Sequence, residues 1–356
     1  MRGFKQLLQI FLLIQSIVQS MKNIKKVGYL SRNLDLKGRQ IPLAIWLPIV
    51  ETDNNDITDT ALVATYSHQI SIKRIVKMLL GFKAIPNFSF LTKSFSIKDD
   101  DVISCDENQH LSQQSLQLPI VLASHGYLGS RFDLTHICKS LAKEGMLVVA
   151  PELPESLAAS YNTEWNSDES DKITRDEINR EAIAVVKKEF VSTMDQENIG
   201  IGILGHSLGS GTAVNFDTGK SNSPRCCIAG FRVPSSPQAC ADSAFLVIAS
   251  DNDSVCPRPL INEKVLEFKS RIKDEKIETL YYNRYNHISF LWKETNNAML
   301  QFLSPLLPLA KSLRVPLLNF DIYSESMDSD ECAEEMIPRI TSFFRRELIE
   351  NDKAES

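Results

Sequence analysis

The sequence has little that suits a nucleic-acid-binding, metal-binding or membrane-spanning protein. Its net charge of −6 shows no basic excess, which argues against a nucleic-acid partner. The seven cysteines include no Cys-x-x-Cys pair, so metal-ligand spacing is absent. Beyond the first twenty residues, no apolar run is long enough to cross a bilayer. The remaining features, 356 residues with 43% hydrophobic content, are typical of a soluble globular protein.

The first twenty residues differ from the rest of the chain. Arg2 and Lys5 precede an apolar run over residues 7–18, and Val18 and Ser20 are small enough for the positions before a cleavage point. This pattern predicts a signal peptide and a location in the secretory pathway or outside the cell. An uncleaved anchor or a buried amphipathic helix is the alternative. In a secreted protein, an odd number of cysteines would allow one or two disulfides, with the pairing open.

The remainder, residues 26–350, is predicted to form a single α/β domain with a mostly parallel central sheet and helices on both faces. Two early β segments are expected to form an antiparallel edge, and residues 98–117 are expected to form a polar surface loop. A Thr174–Glu177 capping box predicts a helix running to about Phe190. The main strands are predicted from apolar runs at residues 118–124, 146–150, 199–204, 226–231, 244–250 and 276–282.

Residues 70–82 combine apolar and basic side chains at helical spacing. One interpretation is peripheral contact with an anionic lipid surface, shared with the apolar residues from Phe302 to Leu318 beside Lys311. The other interpretation, which we prefer, is a helix that packs on the core and keeps its lysines in water.

The most informative stretch is Gly205-His206-Ser207-Leu208-Gly209. It follows an apolar strand and precedes a helix rich in small residues, which is the setting of a nucleophile elbow. A tight turn of this kind strains the serine backbone and crowds the residues two positions before and after it, where glycine fits without a Cβ clash. Ser207 is therefore the predicted nucleophile.

A serine nucleophile needs a base and a carboxylate that orients the base, in the chain order Ser, Asp or Glu, His. Among the six histidines, only His287 follows the last predicted strand; His206 is expected to point away from the site. The carboxylate is predicted at Asp253, in the turn after the 244–250 strand, with Asp251 as the alternative. The role of His287 depends on a true elbow at Ser207.

The developing oxyanion needs backbone N–H donors. We predict them at Leu208, directly after the nucleophile, and at Tyr127, in the turn that begins with His125-Gly126. In this interpretation the side chains of the turn are incidental, because the chemistry uses only the backbone.

Ser124-His125-Gly126, the elbow, Asp253 and His287 together resemble the α/β-hydrolase superfamily. Within it the chain is most similar to the platelet-activating-factor acetylhydrolase group and its dienelactone-hydrolase-like neighbours. Two departures matter. The loop after the 226–231 strand, where the acetylhydrolases carry their acid, has no carboxylate from Gly230 to Ala241, and the dienelactone hydrolases use a cysteine nucleophile.

The resemblance implies a serine hydrolase that cleaves small-molecule or lipid esters, including the short acyl chain of a phospholipid, and needs no metal or cofactor. A peptidase or acyltransferase with the same triad is the second interpretation. A non-catalytic binding protein on a hydrolase scaffold is the third.

Overall fold

The computed structural model describes residues 24–50, 62–80, 92–105, 118–161, 172–191, 196–236, 240, 242–271, 276–312 and 328–350. The predicted signal peptide therefore lies outside the described residues. The strands are β1 (Ile24–Leu36), β2 (Arg39–Val50), β3 (Val63–Ser71), β4 (Thr92–Ser104), β5 (Ile120–Ser124), β6 (Leu147–Pro151), β7 (Ile201–His206), β8 (Arg225–Ile228), β9 (Phe245–Ser250) and β10 (Ile277–Tyr282). The helices are α1 (Ile72–Leu80), α2 (Thr135–Lys143), α3 (Arg175–Phe190), α4 (Leu208–Asn215), α5 (Arg258–Lys269), α6 (Lys293–Leu303), α7 (Leu307–Ser312) and α8 (Ser329–Arg345).

These strands form one mixed sheet in the order β10-β9-β8-β7-β5-β6-β2-β1-β4-β3. All neighbours from β10 to β6 are parallel, whereas β2 pairs antiparallel with both β6 and β1. The parallel strands are short apolar runs with every residue of β5 to β9 buried, as expected for strands covered on both faces. The predicted mostly parallel α/β fold is confirmed.

Two layers of helices cover the sheet. Helices α3, α4 and α5 contribute buried apolar side chains to one face, and α2 and α8 cover the other. Thr174 caps α3 as predicted, because its hydroxyl accepts the Glu177 N–H while the Glu177 carboxylate accepts the Thr174 N–H. None of the helices in the described part of the chain is long and apolar enough to span a bilayer.

Two predictions at the amino-terminal side are wrong. The β1–β2 hairpin is not the edge of the sheet, because β4 and β3 continue the sheet beyond it. Residues 98–104, predicted as loop, belong to β4, whose mostly exposed polar side chains left no apolar alternation in the sequence. Pairing with β3 over the length of both strands supplies the backbone hydrogen bonds that propensity alone would not predict.

The prediction for the basic helix is also partly wrong. Helix α1 packs near the core through Ile75, but Lys73 and Arg74 are buried rather than in water. The Arg74 guanidinium donates to the carbonyls of Ser156 (2.7 Å) and Tyr161 (3.0 Å), and also to that of Pro154. Arg74 therefore organises the loop after β6.

The strand order reverses its direction across the sheet at β5, near the centre of the sheet. The chain runs from β5 outward to β6, then returns to β7 on the other side of β5. Ligands of open α/β sheets bind at such a reversal, beyond the carboxyl ends of the strands. The segments beginning at His125 and Ser207 leave β5 and β7 there.

Candidate active site

Ser207 lies in a sharp turn between β7 and α4. Its backbone has φ 54° and ψ −117°, a conformation that residues other than glycine rarely adopt. A Cβ at Gly205 would come within 2.1 Å of the Gly209 carbonyl oxygen, and one at Gly209 within 2.0 Å of the Ser124 carbonyl oxygen. Both neighbours are backbone and cannot rotate away, so only glycine fits. The local geometry predicted for a nucleophile elbow is present.

His287 and Asp253 form a buried hydrogen-bonded pair. The Nδ1 of His287 donates to Asp253 Oδ2 at 2.8 Å, and Asp253 Oδ1 accepts the backbone N–H groups of Val255 and Cys256, each at 2.8 Å. Burial would raise the pKa of Asp253, but its hydrogen bond and ionic contact with His287, together with the two N–H donors, lower it. Asp253 is therefore held as a carboxylate that can orient an imidazole.

Asp251 lies apart from this pair. Its carboxylate contacts the Arg258 guanidinium at 2.8 Å, and about a third of its side chain is exposed. Its backbone N–H donates to the Tyr282 carbonyl. Of the two candidate acids, Asp253 is the one in contact with His287.

Ser207 and His287 line the same cavity, of about 250 Å³, whose lining is mainly apolar. Ligand pockets commonly measure about 300–1,000 Å³, so this one lies at the small end. The other lining residues are Gly126, Tyr127, Leu128, Gly129, Asp133, Leu157, His206, Val255, Ile288, Leu291, Thr295, Asn296, Met299, Leu300 and Leu303.

The turn after β5 is next to the elbow because β5 and β7 are paired in parallel, with Ser124 opposite Gly205. Gly126 lies against Ser207, where an added Cβ would come within 3.1 Å of the serine Cβ. In the described part of the chain, the N–H groups of Tyr127 and Leu208 donate to no protein acceptor. Both are therefore available to a ligand beside Ser207.

The prediction that His206 points away from the site is wrong. Its Nε2 donates to the backbone carbonyl of His287 at 3.0 Å, and the two imidazole rings lie 4.8 Å apart. Burial, reinforced by the neighbouring His287, lowers the pKa of His206 to about 3, so the ring is neutral. The position of His206 in the sequence shows only that it belongs to the elbow. Its contacts are made with His287, which is distant in the sequence and is brought beside the elbow by the fold.

The side chain of His125 is also more than incidental. Its Nε2 accepts the Leu153 N–H at 3.0 Å, so the proton is on Nδ1, which donates to the Gly126 carbonyl at 2.8 Å. Burial lowers its pKa to about 4. His125 thus fixes the turn that carries Tyr127, by tying it to the segment after β6.

Behind this turn lies a buried ion pair that the sequence did not reveal. Arg131 donates to Glu152 Oε2 at 2.5 Å, and His68 Nδ1 lies 3.5 Å from the same oxygen. Arg131 also donates to the Ser67 carbonyl of β3. The pair connects the turn after β5 to the edge strand β3.

Two further polar residues of the cavity were missed as well. Asp133, in the turn before α2, and Asn296, on α6, are each more than nine-tenths buried. Burial raises the pKa of Asp133 to about 7. Asn296 occupies a position on the same helical face as Met299, Leu300 and Leu303, where periodicity alone would predict an apolar residue.

All seven cysteines lie in the described residues, no disulfide joins any of them, and six are buried. The disulfides considered in the sequence analysis are therefore not formed. Cys226 and Cys227 are adjacent on β8, and burial is the main cause that raises the pKa of both thiols.

Comparison with a family model supports the family resemblance. Residues 26–200 match the family model described as platelet-activating factor acetylhydrolase, isoform II. A search of curated proteins found no match.

Solved structures include similar chains. A ferulic acid esterase from Streptomyces cinnamoneus shares 14% identity, with a TM-score of 0.48, 91% of this chain and 89% of that chain covered. A dienelactone hydrolase from Anabaena variabilis shares 9% identity, with a TM-score of 0.42, 90% of this chain and 99% of that chain covered. XC6422 from Xanthomonas campestris, described as a member of a/b serine hydrolase without lid, shares 11% identity, with a TM-score of 0.38, 82% of this chain and 94% of that chain covered.

The strand order, the turn at Ser207 and the family match over residues 26–200 agree with one another. The chain is an α/β-hydrolase by fold, and its amino-terminal half is similar to the platelet-activating-factor acetylhydrolase isoform II family.

Proposed function

We propose that this protein is a serine hydrolase that cleaves carboxylic esters through an acyl-enzyme. The observation that carries the proposal is the shared cavity of Ser207, in its strained turn, and His287, hydrogen-bonded to Asp253 at 2.8 Å. The family match supports an esterase-type activity.

In the proposed mechanism, the Ser207 hydroxyl attacks the ester carbonyl while His287 accepts its proton. Asp253 holds the imidazole with Nδ1 protonated and stabilises the imidazolium that forms. His287 then gives the proton to the departing alkoxide. A water molecule, deprotonated by the same imidazole, attacks the acyl-enzyme and releases the acid.

The oxyanion of each tetrahedral intermediate would be held by the N–H groups of Tyr127 and Leu208. Loss of one such donor commonly costs about 10²- to 10³-fold in kcat. Tyr127 follows β5 and Leu208 follows β7, and these two strands are paired in the sheet. The pairing of the strands therefore sets the distance between the two N–H donors.

The cavity supports a short acyl chain. Its small volume and its apolar lining favour a compact, uncharged group over a long chain. A phospholipid with a short acyl group, as in the acetylhydrolases that the family model describes, is the specific substrate class within this proposal.

The proposal also includes entry into the secretory pathway and peripheral contact with anionic lipid. Because Lys73 and Arg74 are buried, lipid contact would involve the exposed Lys311 of α7 rather than α1. Co-sedimentation of the full chain with anionic vesicles, reduced in Lys311→Glu, would support the contact. Absence of the chain from the vesicle pellet would refute it.

The deciding experiment is treatment of the folded protein with a fluorophosphonate probe, followed by mapping of the label by mass spectrometry. We expect the label on Ser207, hydrolysis of p-nitrophenyl esters that declines with chain length, and loss of both in Ser207→Ala. A folded protein without label would instead support a binding protein. Transfer of the acyl group to an added alcohol, in place of hydrolysis by water, would support an acyltransferase. Cleavage of peptides in preference to esters would support a peptidase.

A further inference from the structure

The cavity has a polar wall that the ester chemistry does not use. This wall consists of Asp133 and Asn296, both lining the cavity and both more than nine-tenths buried. Buried polar groups in an apolar pocket are costly unless a partner satisfies them. The Asp133 carboxyl has a protein partner in the Ser130 hydroxyl, whereas the Asn296 amide carries a donor without a partner among the described residues.

The backbone places the two residues on the same side of the cavity. The Trp292 N–H, at the start of α6, donates to the Asp133 carbonyl at 2.7 Å, and the Asn296 N–H donates to the Trp292 carbonyl at 3.1 Å. The Thr295 hydroxyl donates to the Phe132 carbonyl at 3.3 Å. The first turn of α6 is thus docked on the segment that bears Asp133.

Asn296 has an unused donor. Its Nδ2 is buried and finds no hydrogen-bond partner among the described residues. Nothing in the helix requires an amide here, since the neighbouring cavity positions on α6 carry Met299, Leu300 and Leu303. A buried N–H without a partner destabilises the structure, and a bound acceptor would remove that cost.

Asp133 offers acceptor capacity on the same wall. Its Oδ1 accepts the Ser130 hydroxyl at 2.9 Å, and its Oδ2 lies against Gly129, where an added Cβ would be 2.3 Å from that oxygen. Gly129 belongs to the turn that carries Tyr127. The carboxyl group therefore lies against the turn that bears one of the proposed oxyanion donors.

The combination discriminates among substrate groups. A carboxylate would be repelled by the ionised form of Asp133, and a cation would leave the Asn296 donor without an acceptor. A hydroxyl group can accept from the Asn296 amide and donate to the Asp133 carboxyl at once. In the proposed acyl-enzyme, the acyl group stays covalently attached to Ser207 in the cavity, whereas the alcohol leaves. A hydroxyl bound by these two residues would therefore belong to the acyl group.

We infer that Asn296 and Asp133 form a specificity subsite for a hydroxyl group on the acyl chain of the substrate. This inference rests on the proposed function, because it presupposes an acyl-enzyme at Ser207. It narrows the substrate class to short hydroxyacyl esters.

The test compares kcat/KM for p-nitrophenyl 3-hydroxybutyrate and p-nitrophenyl butyrate, which differ by one hydroxyl. We expect the wild-type protein to prefer the hydroxy ester by about 10-fold or more, since a site built to bind a hydroxyl rejects the analogue that lacks it. In Asn296→Leu this ratio should fall to about one or below. Asn297→Leu, at an exposed neighbouring position, is the matched control and should keep the wild-type ratio.

Thermal denaturation monitored by circular dichroism would establish that each variant is folded, and Asn296→Ala would replace Asn296→Leu if the larger side chain prevents folding. A wild-type ratio near one, with active ester hydrolysis, would overturn the subsite and leave the proposed function standing. An unchanged ratio in a folded Asn296 variant would also overturn it. Hydrolysis of neither ester, without fluorophosphonate labelling, would overturn the proposed function and the subsite together.

Discussion

His206 supports the backbone of His287 through a hydrogen bond of 3.0 Å from its Nε2 to the His287 carbonyl oxygen. The donor comes from the elbow, one residue before the proposed nucleophile. The acceptor belongs to the proposed base, 81 residues later in the chain. This bond and the imidazole contact make the position of the proposed base depend on the turn that holds the proposed nucleophile.

His206→Phe should therefore lower kcat with little change in KM. The phenyl ring preserves packing against His287 but leaves the carbonyl without its donor, at a cost of about 1–3 kcal/mol. If His287 shifts to find another donor for its carbonyl, its imidazole loses alignment with Ser207, and kcat should drop by about 10-fold or more. The measurement is steady-state hydrolysis of p-nitrophenyl acetate over a range of pH. A kcat within twofold of wild type would show that the bond does not position the base.

Asp253→Asn and Asp251→Asn form a matched pair that tests the acid. Asp253 contacts Nδ1 of His287, so its amide variant should favour the wrong imidazole tautomer and lower kcat by about 10⁴-fold. Asp251 pairs with Arg258 at the surface, and its variant should stay within about threefold of wild type. Equal losses in both variants would contradict the assignment of Asp253.

Much of this site follows from the sequence, because its chemistry is local. The Gly205-to-Gly209 pattern dictates the turn at Ser207, and strand order alone places His287 and Asp253 on the same edge. The contacts of His206 and His125 could not be predicted, since they are made with segments distant in the chain. Strand β4 was missed for a related reason: its polar residues form a strand only because β1 and β3 pair with it.

Gly209→Ala and Gly211→Ala should have opposite effects on stability. A Cβ at Gly209 would lie 2.0 Å from the Ser124 carbonyl oxygen, so the turn or β5 must shift. We expect loss of labelling at Ser207 and a lower melting temperature. At Gly211 the nearest atom is Cδ of Arg232 at 3.5 Å, an ordinary contact. Alanine there should raise stability by up to about 1 kcal/mol, through helix propensity. Similar melting temperatures for both variants would disprove the steric account.

Asp133→Asn should stabilise the protein more at high pH than at low pH. Burial raises the folded-state pKa of Asp133 from 3.8 to about 7. Because the folded state holds this proton more tightly than the unfolded state, ionisation opposes folding. The stability contribution of the protonated group is therefore full below pH 3.8 and is lost as the pH rises to about 7.

The asparagine variant carries no such penalty. Its gain in melting temperature over wild type should be larger at pH 8.5 than at pH 5 by roughly 4 °C or more, measured by differential scanning calorimetry. The exposed Glu263→Gln is the control, and its difference from wild type should not change with pH in this way. A gain for Asp133→Asn that is equal at both pH values would show that the carboxyl ionises freely in the folded protein.

The absence of disulfides among the seven cysteines also affects whether the protein can refold after it has unfolded. With no disulfide holding parts of the chain together, a reductant should leave the native stability unchanged. Once the chain unfolds, however, the six buried thiols become accessible together. The pKa values that burial raises return to the ordinary range, so a larger share of these thiols is present as the thiolate that oxidises. This applies to Cys138, Cys226, Cys227, Cys240 and Cys332. Random cross-links formed at that stage would block return to the native state. The recovery of the native state after heating is therefore expected to depend on the redox potential of the buffer.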